Sequence, residues 1–517
     1  MNSDIEKMFR TASAQYSEAQ LDLAAKSLAS LLRLEPRYAL AHLLMSSIEL
    51  RCDRYRSARD AVLAASAQPM LSAAGEFQLF QRLRHFNEHA LMVESARRML
   101  TLSPLDIGQQ MQVVSGLSGI GAPALAKSLL ARMKSLDPRH ISTLLTEGYL
   151  AISEGDFYRA EQSLEAAVER EPRLAMAHWL LARLRTKSSD SNHVERLKHV
   201  MENPTLSKQD RIQLGFSLHK ELHDLGEFGA AWDALTAACL SKRQATHYAE
   251  LETMALFDLI EAMRLEGQSL RGHDDYAIPI FIVGMHRSGT TLLERMLGRH
   301  PRIVDCGESY RFTAQLRYAA DHGCRGVADA RIIEAIAGFD AKEIARGYLE
   351  SCRWRLRSGS SHFTEKLPSN FLVIGLIKHA LPQARILHMC RDPMDVCLSN
   401  LRELFSDACG YSYDQGELGR YYQRYQRLMA HWHRCFPGEI LDVHYEELVA
   451  EPEAVARRVL GYCGLPWHGD VIDLTGNAGA VTTASAIQVR SPIHRRSIGG
   501  WRAYEPQLAQ LRAIVDA

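Results

Sequence analysis

Six prolines recur through the first half of this chain at a nearly constant interval. They are Pro36, Pro69, Pro104, Pro138, Pro172 and Pro204, separated by 33, 35, 34, 34 and 32 residues. A fixed period of this length marks one supersecondary unit used repeatedly, which cannot bury its apolar face alone and must stack on its neighbours. The surroundings repeat too: LRLEPRYALAHLL (32–44), KSLDPRHISTLL (134–145) and VEREPRLAMAHWLLA (168–182). Between prolines lie turn-and-helix segments, CDRYRSARDAVL (52–63), GDFYRAEQSLEAA (155–167) and GEFGAAWDALTAA (226–238). In each, a small residue (Ala58, Ala160, Ala230) is expected where one helix presses on its partner. Proline suits the junction after the second helix, since it tolerates a helix start and cannot continue a helix.

These features resemble the tetratricopeptide repeat, a helix–turn–helix unit of about 34 residues. The resemblance covers residues 3–240, with a degenerate unit near 81–100 and without the full aromatic consensus. It implies an all-α solenoid with a concave face, for which peptide or protein binding is the default use.

From about residue 276 the texture changes. Short apolar runs now alternate with helical stretches: IPIFIVGM (278–285), RIVDCGE (302–308), HFTEKLP (362–368), RILHMCRDP (385–393) and EILDVHYEEL (439–448). That alternation predicts a parallel α/β sheet with crossover helices. The expected organisation is a helical domain over 1–245, a linker over 246–275 containing the polar stretch RLEGQSLRGHDD (264–275), and an α/β domain over 276–517. The whole chain has 61 basic and 61 acidic residues, which argues against a nucleic-acid partner. No apolar run approaches the roughly 18 residues of a membrane span, and the first residues lack a signal-peptide core. Ten cysteines without a CxxC pair suggest reduced thiols, so the expected location is the cytoplasm.

The sharpest chemical signal is PIFIVGMHRSGTTLLERMLGRHP (279–301). A strand ending at Gly284, a short loop and a helix from about Thr290 aim backbone N–H groups and a helix dipole at an anion. Gly284 and Gly289 keep the GxxxxG spacing of a phosphate-binding loop, but Thr290 and Thr291 stand where a nucleotide hydrolase carries Lys and Ser/Thr. Without that lysine, phosphoryl transfer from ATP is disfavoured. Arg287 instead offers a cation to phosphate or sulfate.

GMHRSGTTLLERML resembles the 5′-phosphosulfate loop of sulfotransferases that use 3′-phosphoadenosine 5′-phosphosulfate (PAPS), which assigns Arg287, Ser288, Gly289, Thr290 and Thr291 to the donor. CRDPMDVCLSN (390–400) resembles the family's 3′-phosphate element, with Arg391 and Ser399 as the gripping pair. HPRIVDCGES is similar to the segment of tyrosylprotein sulfotransferases that carries the general base, which implies that role for Glu308. A surface or helix-capping carboxylate is the competing reading. HFTEKLPSNF places Lys366 where related enzymes keep a lysine near the transferring sulfonate; a solvated strand-end lysine is the alternative. Tyr445 in HYEELVAEPE resembles a nucleotide contact, with a buried structural tyrosine as the other option. SAIQVRSPIHRRSIGGW (485–501) resembles the closing loop of the family. This implies transition-state stabilisation by Ser485 and donor binding by Arg490, although the family lysine aligns nearer Ser491. At His286 these enzymes usually have Pro; the histidine would donate to phosphate or cap the loop.

The resemblance spans about residues 277–510 and implies a P-loop-like sulfotransferase domain that uses PAPS as co-substrate and needs no metal. The acceptor it favours is a tyrosine of a peptide or protein held partly by the repeats, with carbohydrate, lipid and small phenol acceptors left open. A non-catalytic nucleotide-binding scaffold and an atypical kinase are the readings from other classes, and the repeats could also form a homodimer. Two further clusters are set aside. His431 and His433 alternate in a helical stretch, where they point in different directions, so packing or solvation is expected rather than a metal pair. The arginines of SCRWRLRSGS (351–360) read as a solvated helix end.

Overall fold

A left-handed turn residue is the element that repeats most faithfully in the computed structural model. Ala19, Asp53, Asn87, Gly121 and Gly155 all have positive φ, between 54° and 83°, and each lies 34 residues after the one before. Each closes the tight turn inside a helix pair. The pairs are Ser3–Ser17 with Leu21–Leu34, Ala39–Arg51 with Tyr55–Ser66, Ala73–His85 with His89–Thr101, Ile107–Gly119 with Pro123–Leu136, and Ile141–Glu154 with Phe157–Arg170. The unit near 81–100 therefore keeps its backbone although its sequence has drifted. A later pair, Lys208–Asp224 and Phe228–Ala245, turns at Gly226. Between them the period is broken by the short helices Ala175–Arg183 and Val194–Met201.

Five residues beyond each turn the chain is fully buried, at Ala24, Ala58, Met92, Ala126, Ala160 and Ala231. At five of these six places the side chain is alanine, which lets paired helices approach closely; Met92, in the degenerate unit, is the exception. The expectation for Ala230 is off by one: Ala230 is exposed, and Ala231, five residues after Gly226, takes the buried place.

The structure describes residues 3–70, 72–265, 276–405, 407–474, 495 and 497–517. They gather into two compact units. One joins residues 3–132 with Ser309–Arg355, the other Met133–Arg264 with the described residues of 276–308 and 356–517. In the first unit the helices Arg311–Ala320 and Ala341–Cys352 lie with the early repeats. Arg56 N–H donates to Asp321 Oδ1 at 2.7 Å, and buried Arg311 reaches His89 Nδ1 at 3.1 Å.

The second unit holds one five-stranded parallel sheet. Its strands are β1 (Ile278–Gly284), β2 (Ile303–Asp305), β3 (His362–Glu365), β4 (Arg385–Cys390) and β5 (Ile440–His444), in the order β2-β3-β1-β4-β5. All five expected strands are present. β1 is buried along nearly its whole length, as a central strand covered on both faces should be. Ile280, Ile282, Leu387 and Met389 build one core with Leu293, Leu297 and the helix Pro452–Cys463. The crossover direction reverses between β1 and its neighbours β3 and β4, so the carboxyl ends of those strands form the crevice where ligands of open α/β sheets bind. Helix Glu250–Ala262, within the stretch expected to be a linker, buries Phe257 and Ile260, and residues 266–275 lie outside the described ones. Among the described residues no helix is long and apolar enough to cross a membrane.

Candidate active site

The loop after β1 turns through Arg287, at φ +70°, and Gly289, at φ +106°. Gly289 caps the helix Thr290–Leu297, whose first N–H groups face the strand ends. Only a residue without Cβ fits here, because an added Cβ would lie 2.6 Å from Tyr445 Cδ2. Ser288 is buried and its hydroxyl has no partner among the described residues, while Thr290 and Thr291 are also buried. A buried hydroxyl beside a helix N-terminus is a ready anion contact.

Arg391 leaves the end of β4 and runs beneath this loop. One of its terminal nitrogens donates to the Arg287 carbonyl at 2.9 Å and the other to the Ser497 carbonyl at 2.6 Å. Its guanidinium lies over the Tyr445 ring at 4.8 Å, and its Nε has no partner among the described residues. Arg287 Nε approaches Ser399 Oγ at 3.3 Å, on the helix Pro393–Leu401. The two expected phosphate-gripping elements, whose arginines Arg287 and Arg391 are 104 residues apart in sequence, are therefore neighbours, with Tyr445 packed against both.

Beyond β2, Glu308 forms an ion pair with Lys366, at the end of β3. Lys366 is completely buried, whereas the Glu308 side chain is 44% exposed. Burial alone would raise the Glu308 pKa, but the charge and hydrogen bond of Lys366, with His286 and Arg287, hold it below the usual carboxylate range. A carboxylate kept ionised beside a buried ammonium has the charge distribution needed to accept a proton next to a centre that gains negative charge.

His286 resolves into packing more than ligand contact. Its ring stacks edge-on against Phe405 at 5.5 Å, lies near Cys409 and Tyr411, and burial pushes its pKa down to about 4. Its carbonyl accepts from Asn400 Nδ2 at 2.7 Å, which ties the loop to the helix carrying Ser399. Ser485, Arg490 and Ser491 lie outside the described residues.

Three residues that sequence reasoning passed over hold this arrangement. Glu294 Oε1 accepts from Gly307 N–H at 3.0 Å and from Thr364 Oγ1 at 2.9 Å, fixing the residue before Glu308 to both the phosphate-loop helix and β3. Its signal was readable: with Thr290, Leu293 and Leu297 it completes the i, i+3, i+4, i+7 buried face of its helix. Glu403 lies 3.6 Å from Arg287 and 3.2 Å from Arg183 of a repeat helix. Its place one turn beyond Ser399 was visible, but the partner from the repeats was not.

The fold and these groups define a class: a parallel α/β protein with a phosphate-binding loop, a second cationic grip and an ionised carboxylate–lysine pair. Residues 279–469 match the family described as "Sulfotransferase family", so this part of the chain is a sulfotransferase-family domain, joined to tetratricopeptide-type repeats. An uncharacterized protein of Aquifex aeolicus (strain VF5) is 30% identical over 406 residues, which is 76% of this chain and 52% of that protein. The chain thus spans about half the length of that relative. "Protein-tyrosine sulfotransferase 1" of Danio rerio is 26% identical over 285 residues, covering 51% of this chain and 77% of that one. The sulfotransferase domain of the Synechococcus PCC 7002 olefin synthase aligns with a TM-score of 0.33 at 19% identity, over 48% of this chain and 98% of that domain.

Proposed function

We propose that this chain transfers a sulfonate from PAPS to an acceptor hydroxyl, most specifically to tyrosine in a peptide or protein that the repeats help to hold. The observation that carries the reading is the Glu308–Lys366 pair beside a phosphate loop with an open buried hydroxyl. The residues present fit the donor. The 285–291 loop and the Thr290 helix end would take its phosphosulfate. Arg391 and Ser399 would take a second phosphate, and Tyr445 would pack beside them. The donor supplies an already activated sulfonate, so the protein needs to provide position and charge.

In this reading Glu308 accepts the proton of the acceptor hydroxyl as the new O–S bond forms. Lys366 and Arg287 stabilise negative charge gathering on the departing phosphate oxygen as the old O–S bond breaks. The loss of the lysine normally found at residue 290 of such loops favours this over phosphoryl transfer. Tyrosine is preferred because the Danio rerio relative is named a protein-tyrosine sulfotransferase and because a repeat array suits an extended chain.

The test is incubation of the full chain with PAPS and a panel of tyrosine peptides, glycans, lipids and small phenols, read by accurate mass and by release of the 3′,5′-bisphosphate. Tyrosine peptides should gain a sulfonate, and Glu308→Ala should lose turnover while retaining bisphosphate binding. Transfer confined to another acceptor would replace tyrosine. Nucleotide binding without transfer to any acceptor would reduce the domain to a scaffold.

A further inference from the structure

β4 and β5 carry a second cluster, on the sheet face opposite the apolar core. Along a strand, residues two apart share a face, so His388 and Cys390 point together while Leu387 and Met389 point into the core. The parallel register pairs His388 with Asp442, which brings the carboxylate to the same face. Helix Gln415–Cys435 crosses over it and contributes His433 and, two turns earlier, Tyr425.

The side chains converge. His388 Nδ1 lies 2.7 Å from Asp442 Oδ1 and 3.4 Å from Cys390 Sγ, and His433 Nε2 lies 3.0 Å from the same Asp442 oxygen. The potential ligand atoms of His388, Cys390 and Asp442 all fall within 4.8 Å of one another. Tetrahedral ligands at zinc bond lengths of about 2.0–2.3 Å stand roughly 3.3–3.6 Å apart, so small shifts of His388, Cys390 and Asp442 would admit an ion, and His433, held against Asp442, would swing in as the fourth ligand. The other nitrogen of His388 is held by Tyr425 Oη, the outer hydrogen bond that fixes which nitrogen a ligating histidine presents. Asp442 and His433 remain 41% and 35% exposed, which leaves a route from solvent.

We propose that His388 Nδ1, Cys390 Sγ, the Asp442 carboxylate and His433 Nε2 form a binding site for one tetrahedral divalent ion of the zinc class. One thiolate, two imidazoles and one carboxylate make a mixed soft and borderline donor set, which selects zinc or cobalt over magnesium or calcium. The ion would clip β4 to β5 and to the overlying helix, immediately before Arg391. It is a structural clip and takes no part in the transfer reaction. His431 is not part of it: that ring faces Cys435, 3.4 Å away on the exposed helix end.

The test uses the full chain, purified and stripped with a chelator, then titrated with Co2+. The expected result is one equivalent bound with tetrahedral d–d bands and a thiolate-to-cobalt absorption. Cys390→Ser should remove the thiolate band, and the milder Asp442→Asn and His433→Gln should each weaken Co2+ binding at least tenfold. Zinc reconstitution should raise the thermal midpoint of wild type and leave that of Asp442→Asn unchanged. Cys435→Ser should change none of these. Absence of stoichiometric binding by folded wild type would overturn the proposal, as would a cobalt spectrum that survives Asp442→Asn and His433→Gln but vanishes in Cys435→Ser. None of these readouts depends on sulfonate transfer, so the two proposals fail separately.

Discussion

Glu294→Gln changes a single proton site, and its consequence can be worked from the structure. Glu294 is buried on the phosphate-loop helix, and its pKa is pushed from the ordinary 4.5 to about 7. Burial is the main cause; Lys366 and the Thr364 hydroxyl oppose it, and Asp305 and Glu308 add to it. The folded chain therefore keeps this proton over a range in which the unfolded chain has released it. By linkage, the favourable contribution is complete below pH 4.5, declines as pH rises, and is gone above pH 7. At about 1.4 kcal/mol per unit, the loss across that window is on the order of 3 kcal/mol. Glutamine cannot ionise, yet its amide oxygen can still accept from Gly307 N–H and Thr364 Oγ1. Urea unfolding followed by tryptophan fluorescence should thus give nearly equal stabilities for wild type and variant at pH 5. At pH 8 the variant should be more stable by up to about 3 kcal/mol. Parallel pH profiles for the two proteins would refute the reasoning, because the slope would then belong to other groups.

Other substitutions probe the proposed donor grip, each read by calorimetry with the 3′,5′-bisphosphate. Gly289→Ala places a Cβ 2.6 Å from the Tyr445 ring at φ +106°, so bisphosphate affinity should fall by about tenfold or more. Arg391→Lys keeps the charge and loses the planar fork, so affinity should also fall about tenfold; unchanged binding would remove Arg391 from the grip. Arg183→Ala leaves Glu403 to pair with Arg287 alone and should weaken anion binding by roughly threefold to tenfold, whereas Glu403→Gln should strengthen it. Shifts of the same sign in those two variants would show that Glu403 does not compete with the donor.

How much of this was legible depends on how local each feature is. The phosphate loop and the Arg391 element sit directly after strands, and a strand–loop–helix carries its geometry in consecutive residues. Those segments could be placed from sequence, whereas their juxtaposition needed the strand order, in which β1 and β4 are neighbours. The repeats were legible through prolines whose steps vary from 32 to 35, because the junction between units tolerates a residue more or less. The turn inside each unit does not tolerate it, hence the invariant interval of 34 from Ala19 to Gly155. Anchoring the pattern on that turn would have pointed to Ala231 in place of Ala230. Glu403 and Arg183 were beyond sequence reasoning, since nothing near either residue announces a partner about 220 residues away.

The late helix pairs do more than extend the array, because their side chains complete the scaffold beneath the loop after β1 and the helix that carries Ser399. Arg402, next to Glu403, donates to His219 Nε2 at 2.9 Å, and His219 Nδ1–H donates to the Ala231 carbonyl at 2.8 Å. That chain requires a neutral imidazole. Burial, reinforced by the Arg402 charge, lowers the His219 pKa well below its ordinary value, so the ring remains an acceptor across the physiological range. Arg243 grips Glu417 through two bonds of 2.7 and 2.8 Å, and Arg420 reaches Glu250, joining the helix Gln415–Cys435 to the end of the array. Cutting the chain after the repeats would expose these buried groups and leave Arg402 without its acceptor. Loss of activity in such a truncation would therefore say little about substrate docking. Point substitutions on exposed array residues, with Arg183 and His219 left intact, separate recognition from the integrity of the site.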